Sequence, residues 1–462
     1  MVIARPVPND TLGSDRSDIQ QIRANQFRIE GGARRGSNLF HSFQDFDVPD
    51  GVAVYFANPA SIETILSRLT GNSSSEILGT LGVDGMANLF LINPNGIVFG
   101  PNARLDIRGS FVASTADRFT FPDGSEFSAS TPQAAPLLTV NVPIGLQYGT
   151  GMGAIANAGT LQVGRDLTLS AQQLDLQGQL QAGRHLTLVA DDLRIRDRVI
   201  TPFIATAGQT MRLQGNQQLD IVALNHPDSR LVAGSDLILR SPNPVIGDAH
   251  YWSGGDFRVE RADGILGDFW SPIDPIIRAG GDVAFDTYRG TSLHIFAGGA
   301  VDIGSVVITG TDDAAVEGID AIAETVTLSD GITTVAIDGR TQPTLDIRAG
   351  VNLEAITPPI GVSGSVEELT PADPLSPTRT SADITLDSVN LEAPNGLVFL
   401  TNQYQADPTL PGGTIEVDSI RTDDSLNGFA GNGGTVIVDA REGLNVGDRI
   451  CADGHGFLSG YC

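Results

Sequence analysis

The segment Gly164-Arg-Asp-Leu-Thr-Leu169 recurs as Gly183-Arg-His-Leu-Thr-Leu188. Five further copies share the leading glycine, the last three more weakly, and begin at Gly208, Gly234, Gly254, Gly280 and Gly298. Successive copies therefore start 18 to 26 residues apart. A unit of this length is too short for a domain and suits one supersecondary element stacked on its neighbours. The pattern predicts a repeat protein.

Within each copy apolar and polar side chains alternate, as in Leu167-Thr-Leu169 and Leu174-Asp-Leu176. A period of two is typical of a half-buried strand, whereas runs with helical spacing are almost absent. Leucine-rich repeats have a similar period but need a Leu-x-x-Leu-x-Leu-x-x-Asn pattern, which is missing. The glycine, Asp and Asn residues between strands suit the tight corners of a coil. The sequence therefore predicts an all-β fold: a single-stranded right-handed parallel β-helix, pectin-lyase-like, with N-terminal capping strands.

The charge composition excludes several classes of function. The chain has 28 basic residues, all of them arginine, against 55 acidic ones, for a net charge of −27. Without lysine there is no Schiff-base lysine and no P-loop lysine. The negative charge repels a phosphate backbone, so we expect no nucleic-acid partner. No apolar run approaches the roughly 18 residues of a transmembrane helix.

The most distinctive motif is Asn93-Pro94-Asn95-Gly96, which separates the apolar runs Leu89-Phe-Leu-Ile92 and Ile97-Val-Phe99. Asn93 can cap a turn with its side chain, Pro94 presets φ, and Asn95 and Gly96 tolerate the left-handed region. The stretch is predicted to be strand, tight turn, strand. Taken alone it would be an ordinary β-turn.

The surrounding sequence resembles the haemagglutination-activity, or two-partner-secretion, domain of the filamentous haemagglutinin family, and most closely its cyanobacterial branch. The family's Asn-Pro-Asn-Gly-Ile hallmark matches residues 93–97. The resemblance also rests on blocks that surround the hallmark: Gly31-Gly-Ala-Arg-Arg-Gly-Ser-Asn-Leu-Phe-His-Ser-Phe43, Val54-Tyr-Phe-Ala-Asn-Pro59, Ile65-Leu-Ser-Arg-Leu-Thr-Gly71, Leu105-Asp-Ile-Arg-Gly-Ser-Phe-Val-Ala-Ser-Thr115 and Pro143-Ile-Gly-Leu-Gln-Tyr-Gly149.

The resemblance implies an exported, adhesin-like exoprotein. Such proteins bind a dedicated outer-membrane β-barrel transporter with periplasmic domains, cross it unfolded, and wind into a β-helix outside. The implied motif residues are Asn93, Pro94, Asn95 and Gly96, with Asn58 and Pro59 at the place of a companion Asn-Pro-Asn-Leu motif. At that second site Ala60 and Ser61 replace the family's Asn and Leu. Whether these turns touch the transporter or shape the domain stays open, and we favour shaping.

The implied organisation has four parts. We expect the secretion domain at 8–150, a β-helix repeat region at 151–355, a proline-rich loop or linker at 356–381, and a β-helix continuation with a cysteine loop at 382–462. The protein is expected to be secreted or at the cell surface, with its signal peptide upstream of Met1. The sequence does not identify the receptor of the protein. We expect it to be a glycan or a protein of a host or of a cell surface.

One alternative function from another class is that of a secreted β-helical polysaccharide lyase or hydrolase. That chemistry would need convergent acids, or an arginine with acids, on one sheet face across successive turns. The adjacent pairs Asp191-Asp192, Asp312-Asp313 and Asp423-Asp424 point to opposite faces of a strand and are predicted to be solvated turn acids, with a weak calcium site as the alternative. The six histidines lack metal-ligand spacing, and His41 is expected to be structural. We therefore predict no enzyme, no metal and no cofactor.

Cys451 and Cys462 are the two cysteines of the chain. Two cysteines close together in an otherwise cysteine-free secreted protein favour a disulfide, whose short loop would stabilise by no more than ~3 kcal/mol. In some adhesins exported this way, a cysteine-closed loop near the C-terminus anchors the protein at its transporter, and this arrangement is similar. The alternative is that the pair is accidental.

Overall fold

The computed structural model describes residues 6–133, 145–147, 153–312, 322–352, 379–422 and 433–452. The chain divides into two compact units. Unit 1 comprises Met1–Arg196 and Phe203–Ala207, and unit 2 comprises Asp197–Pro202 and Gly208–Cys462. Within the described ranges no helix is long and apolar enough to cross a bilayer.

Unit 1 contains one 3₁₀ turn at Gly13–Asp15 and otherwise short strands. The strands are β1 (Val7–Pro8), β2 (Ser17–Arg23), β3 (Gln26–Gly31), β4 (Ala33–Arg35), β5 (Asn38–Asp45), β6 (Ala53–Ala57), β7 (Thr64–Leu69), β8 (Ser75–Ile77), β9 (Thr80–Asp84), β10 (Asn88–Ile92), β11 (Ile97–Phe99), β12 (Arg104–Asp106), β13 (Phe111–Ser114), β14 (Arg118–Thr120), β15 (Glu126–Ser128), β16 (Gly145–Gln147), β17 (Ala154–Asn157), β18 (Thr160–Val163), β19 (Leu167–Ser170), β20 (Gln173–Leu176), β21 (Gln179–Ala182), β22 (Leu186–Arg196) and β23 (Ile204–Ala207).

Parallel pairing arranges these strands as a coil with three strands per turn. Strands β7, β10, β13, β19 and β22 form one ladder, β8, β11, β17, β20 and β22 a second, and β6, β9, β12, β18, β21 and β23 a third. In the first ladder the register stacks buried apolar side chains directly above one another: Ile65, Leu89, Phe111, Leu167 and Leu186. These stacks are the core that the alternating sequence pattern predicts.

Among the described residues of unit 1, antiparallel strands appear at two places. At the start of the chain, β1 pairs with β5 and β2 with β3, which are the N-terminal capping strands that the sequence predicts. After β13 the chain leaves the coil and forms a three-stranded sheet, β15-β14-β16, which we call the extra-helical sheet. It packs Phe119, Phe121 and Phe127 into one cluster with Phe40 and Leu66 of the coil. The coil strands beneath it are therefore buried on both faces.

Unit 2 is also made of strands. They are β24 (Met211–Val222), β25 (Arg230–Ala233), β26 (Leu237–Arg240), β27 (Val245–Asp248), β28 (His250–Ser253), β29 (Phe257–Glu260), β30 (Phe269–Ser271), β31 (Ile276–Ala279), β32 (Val283–Gly290), β33 (Leu293–Ala297), β34 (Val301–Ile308), β35 (Ala323–Thr327), β36 (Thr334–Asp338), β37 (Thr344–Arg348), β38 (Ile384–Leu391), β39 (Leu397–Thr401), β40 (Thr414–Arg421), β41 (Thr435–Asp439) and β42 (Gly443–Cys451).

The strands of unit 2 form a coil as well. One face is formed by β25, β28, β31, β33, β37, β39 and β41, and each of these strands pairs in parallel with the next. The long strands β32, β34, β38, β40 and β42 each span two faces. One antiparallel hairpin, β35–β36, leaves the coil and packs Val326, Val335 and Ile337 on Phe296 and Phe399.

The Gly-Gly-Asp copies of the repeat form one corner of this coil. The Oδ1 atom of Asp236 accepts the backbone N–H of Asp256 at 3.0 Å, and Asp256 accepts that of Asp282 at 2.9 Å. A Cβ at Gly255 would lie 2.3 Å from the Asp236 carboxylate, and one at Gly281 2.2 Å from that of Asp256. The repeat therefore keeps glycine before each aspartate because the aspartate of the previous turn occupies that space.

The prediction of an all-β fold with parallel β-helical coils is confirmed within each unit. The predicted proline-rich loop, 356–381, lies outside the described residues up to position 378. Strands β38 to β42 follow it, as the returning alternation of the sequence predicts.

Candidate functional site

The turn Asn93-Pro94-Asn95-Gly96 joins β10 to β11 and is organised by the buried side chain of Asn93. Its Oδ1 atom accepts the backbone N–H of Asn95 at 3.0 Å and the Asn95 Nδ2 at 3.1 Å. Its Nδ2 atom donates to the Ser73 carbonyl at 3.0 Å and to Ser75 Oγ at 3.1 Å. One side chain thus closes the turn and joins it to the preceding turn of the coil.

Gly96 completes this turn in a conformation that favours glycine. Its φ is +115°, and its N–H donates to the Asn93 carbonyl at 3.0 Å. A Cβ at this position would lie 2.9 Å from the Ala154 carbonyl oxygen. Asn95 is exposed and Pro94 half-buried, so these two residues face solvent while Asn93 and Gly96 face the coil.

Asn58 and Pro59 lie at a different corner, between β6 and β7. Asn58 is half-buried, and its Oδ1 atom accepts the N–H groups of Met86 at 3.0 Å and Ala87 at 3.1 Å in the next turn of the coil. Its Nδ2 atom donates to the Ile62 carbonyl at 2.9 Å. The structure therefore gives both motif asparagines a turn-closing arrangement, although it places the two turns at separate corners.

Arg68 is a prominent residue of this region that the sequence analysis did not single out. It lies on β7, and its side chain is 1% exposed. The guanidinium lies 4.1 Å above the Phe127 ring of the extra-helical sheet. It belongs to the block Ile65-Leu-Ser-Arg-Leu-Thr-Gly71, and an arginine inside an apolar strand was the signal that could have identified it.

His41, on β5, lies in the interior of unit 1, and its contacts are those of a structural residue. It is fully buried, its Nδ1 lies 2.9 Å from Ser17 Oγ, and its ring packs on Phe43 and Phe56. Burial lowers the pKa of His41 to about 3. The imidazole is therefore neutral at any pH at which the protein is expected to work.

We expect this buried histidine to make unit 1 sensitive to acid. As pH falls below the unfolded pKa of about 6.5, only the unfolded chain takes up the proton, so the free energy of unfolding decreases until pH approaches 3, by about 2 kcal/mol at pH 5. Hydrogen exchange of the β5 amides from pH 7 to 4.5 measures the loss. His41→Phe should flatten the pH dependence, and His185→Gln at an exposed position should not. Equal slopes in all three proteins would contradict this role.

Unit 2 contains a buried charged network beneath the β35–β36 hairpin. Arg348, 0% exposed, donates to both oxygens of Asp346 at 2.9 and 2.8 Å and pairs with Glu324 at 2.8 Å. Its guanidinium also lies 4.6 Å from the Phe296 ring and 4.3 Å from that of Tyr404.

His294 also belongs to this network and links it to Asp312. Its Nδ1 lies 3.3 Å from Asp346 Oδ2 and its Nε2 3.8 Å from Asp312 Oδ2. Burial lowers the pKa of His294, but the two adjacent carboxylates outweigh this effect and raise it to about 9. Burial raises the pKa of Asp312 to about 6. The imidazole is thus a buried cation held between carboxylates.

These contacts correct one prediction and bear on the enzyme alternative. Asp312 is 5% exposed, so its interpretation as a solvated turn acid was wrong: its backbone N–H donates to the Gly339 carbonyl at 3.0 Å, and its carboxylate lies beside His294. Asp191 and Asp192 are half-buried within β22, and the partners Asp313, Asp423 and Asp424 lie outside the described residues. Arg348 and Asp346 lie on one strand, β37, and both are 0% exposed, so a polysaccharide chain cannot reach this arginine and its acid.

Cys451 ends β42 and is 1% exposed, whereas Cys462 lies outside the described residues. In the part of the chain that the structure describes, no group of three or more His, Cys, Asp or Glu side chains is arranged to hold a metal ion.

Comparison with known families identifies the chain. The sequence model of one family, the TPS (two-partner-secretion) secretion domain, matches residues 4–259, which is more than half of the chain. The chain belongs to the TPS secretion domain family. The match extends past residue 150 and contains both Asn-Pro turns, Arg68 and the extra-helical sheet.

Known proteins are similar to this TPS chain over different shares of its length. The heme/hemopexin-binding protein of Haemophilus influenzae is 32% identical over 75 residues, 16% of this chain and 8% of that protein, so the match spans less than a tenth of its length. The HMW1 secretion domain of Haemophilus influenzae is 14% identical, with coverage of 93% of this chain and 97% of that one and a TM-score of 0.39. The filamentous hemagglutinin secretion domain is 16% identical. The match covers 65% of this chain and 99% of that one, with a TM-score of 0.39.

Family membership tests the prediction made for the N-terminal part of the chain. TPS exoproteins are secreted or surface proteins. The prediction of a two-partner-secretion domain is confirmed by the match over residues 4–259.

Proposed function

We propose that the TPS domain brings this chain to an outer-membrane transporter of the two-partner type, and that the remainder forms the β-helical stalk of an adhesin-like exoprotein. The observation that carries this proposal is the TPS match over residues 4–259. It is supported by the Asn93 turn, whose side chain is built into the coil as a corner.

Binding of the full chain to the transporter tests the proposal. The periplasmic domains of a transporter from the same organism would be immobilised and titrated with the chain, with periplasmic domains of an unrelated β-barrel insertase as the control. We expect saturable binding to the cognate domains, with a Kd at or below about 10 µM. Absence of binding, or equal binding to the control domains, would contradict recognition by this domain.

Several finer features belong to the same proposal. We place the secretion domain at 8–150, the β-helix repeat region at 151–355, a proline-rich loop or linker at 356–381, and a β-helix continuation with a C-terminal cysteine loop at 382–462. A host or cell-surface glycan or protein is proposed as the receptor of the stalk. The cyanobacterial branch and a signal peptide upstream of Met1 stay predictions, and N-terminal sequencing of secreted protein would test the latter.

We also propose that Cys451 and Cys462 form a disulfide that retains the protein at its transporter. A thiol count on protein recovered from the cell surface should find no free thiol, and Cys462→Ser should release surface protein into the medium. The control is Ser459→Ala, which changes the same segment without touching a cysteine. Two free thiols would refute the bond, and unchanged partitioning of the Cys462 variant would refute the anchor.

A further inference from the structure

Arg68 lies in an unusual setting for a charged side chain. All three of its nitrogens donate hydrogen bonds: Nε to Ser42 Oγ at 3.0 Å, Nη1 to the Ser128 carbonyl at 2.9 Å, and Nη2 to Thr11 Oγ1 at 3.0 Å and the Gln133 carbonyl at 2.6 Å. Every acceptor is a neutral oxygen. Burial lowers the pKa of Arg68 to about 10, so the side chain stays charged at neutral pH.

Stability alone does not explain a buried arginine at this position. Removing a guanidinium from water costs several kcal/mol, and an apolar side chain of similar volume is often as stable or more stable in such a place. The surroundings would accept one, because Phe127 and the apolar cluster of the extra-helical sheet lie next to it. What an apolar side chain cannot provide is a set of directional bonds.

The bonds of Arg68 join parts of unit 1 that are distant in sequence. Thr11 belongs to the segment before the 3₁₀ turn, Ser42 to strand β5 of the coil, and Ser128 and Gln133 to the extra-helical sheet and the residues after it. Thr11 Oγ1 also lies 2.8 Å from Ser42 Oγ. One guanidinium therefore fixes both the N-terminal segment and the extra-helical sheet to the coil.

The extra-helical sheet has one apolar and one charged face. Phe119 and Phe127 face the coil, whereas Arg118 and Glu126 form an ion pair of 2.8 Å on the accessible side. Apolar contacts are non-directional and do not by themselves define a single position of the sheet on the coil. The hydrogen bonds of Arg68 are directional and so determine where the charged face lies.

We propose that Arg68 is a positioning residue, which holds the N-terminal segment and the extra-helical sheet on the coil as a single recognition surface for the transporter. This rests on the proposed function of the TPS domain. Arg68 itself does not touch the partner, because it is buried, and it acts through the position of the surface above it.

The test compares two replacements of Arg68 with a coil variant in the full chain. Arg68→Lys keeps the charge but not the fork of donors, and Arg68→Met keeps the length without the bonds. Leu188→Ala, in β22, opens a cavity in the coil of the same unit without touching either segment. Binding to the transporter's periplasmic domains is measured alongside Tm and the hydrogen exchange of β14, β15 and residues 9–17.

We expect both Arg68 variants to raise the Kd by about tenfold or more, and Leu188→Ala by less than about threefold at a comparable loss of Tm. Exchange of β14, β15 and residues 9–17 should rise together by about tenfold in the Arg68 variants and stay unchanged in β19 to β21. Should Arg68→Met fail to fold, Arg68→Lys alone is compared with Leu188→Ala, with the same expected readouts.

Equal loss of binding in Leu188→Ala and the Arg68 variants would overturn the proposal, since the effect would then follow stability alone. Unchanged exchange of the extra-helical sheet in the Arg68 variants would overturn it as well. If the wild-type chain does not bind the transporter, the proposed function fails on its own, and the exchange data still decide whether Arg68 holds the two segments.

Discussion

Replacement of Arg348 by methionine is expected to destabilise unit 2 by about 3–5 kcal/mol, because it removes one partner of a buried ion pair and leaves an excess of buried negative charge that His294 alone does not balance. Asp346 is fully buried and would lose both bonds from the guanidinium, while Glu324 on β35 would lose its link to the coil. Denaturant unfolding gives the total loss. Hydrogen exchange of β35 and β36 should show that the hairpin opens first.

A matched control lies in the same unit. Arg340 pairs with Asp338 at 3.1 Å, and both side chains are about one-third exposed. Because exposed pairs contribute at most about 1 kcal/mol, Arg340→Met should change the free energy of unfolding by less than that. If the two arginine variants lost similar stability, the network beneath the hairpin would not have the role we assign to it.

The second large effect is expected at Asn93. Its replacement by alanine removes four hydrogen bonds and leaves buried groups such as the Ser75 hydroxyl unsatisfied, at a cost of about 1–3 kcal/mol in unit 1. Asn95 is exposed, and its Nδ2 bond to the Gly71 carbonyl at 2.9 Å is replaceable by water. Asn95→Ala should therefore cost less than about 0.5 kcal/mol.

Asn93→Ala and Asn95→Ala together also decide whether the motif shapes the domain or contacts the transporter. If the motif shapes the domain, secretion through the cognate transporter should fall with Asn93→Ala and stay near the wild-type level with Asn95→Ala. If the transporter reads the motif directly, Asn95→Ala should reduce secretion at unchanged stability, which would contradict our interpretation. The double replacement should reduce secretion in either case.

The coil could be predicted from the sequence because its signal is local. Alternation within Leu167-Thr-Leu169 fixes which side chains face inward, and the regular glycines mark corners. Stacking then follows, since each turn presents the same apolar edge to the next. The same reasoning predicted the strands that resume at Ile384 and Thr414.

The parts that leave the coil could not be predicted, because their contacts are distant in sequence. Phe119 and Phe127 become core residues only when they meet Phe40 and Leu66. A signal did exist: Leu39-Phe40 and Ile65-Leu66 are consecutive apolar pairs, which indicate strands buried on both faces. Asp312 was misjudged for a similar reason, since its contacts with His294 and Gly339 are encoded in no local pattern.

The sequence predicted where the turn of the candidate site lies but not which contacts hold it in place. Turn chemistry placed Asn93 at a corner and assigned Gly96 a left-handed region, and the observed φ of +115° agrees with that assignment. The bonds from Asn93 to Ser73 and Ser75 depend on the stacking of successive turns, which no local pattern encodes. Arg68 depends on four acceptors that only the folded chain brings together.

The most direct test of the central claim is transporter-dependent export. The chain, preceded by a cleavable signal peptide, would be expressed in a Gram-negative host with and without the cognate two-partner transporter, and the protein in the periplasm and outside the cell would be measured. The account predicts folded, protease-resistant protein outside the cell only when the transporter is present, and periplasmic protein without it. Equal amounts outside the cell in both strains, or retention in the periplasm in both, would contradict it.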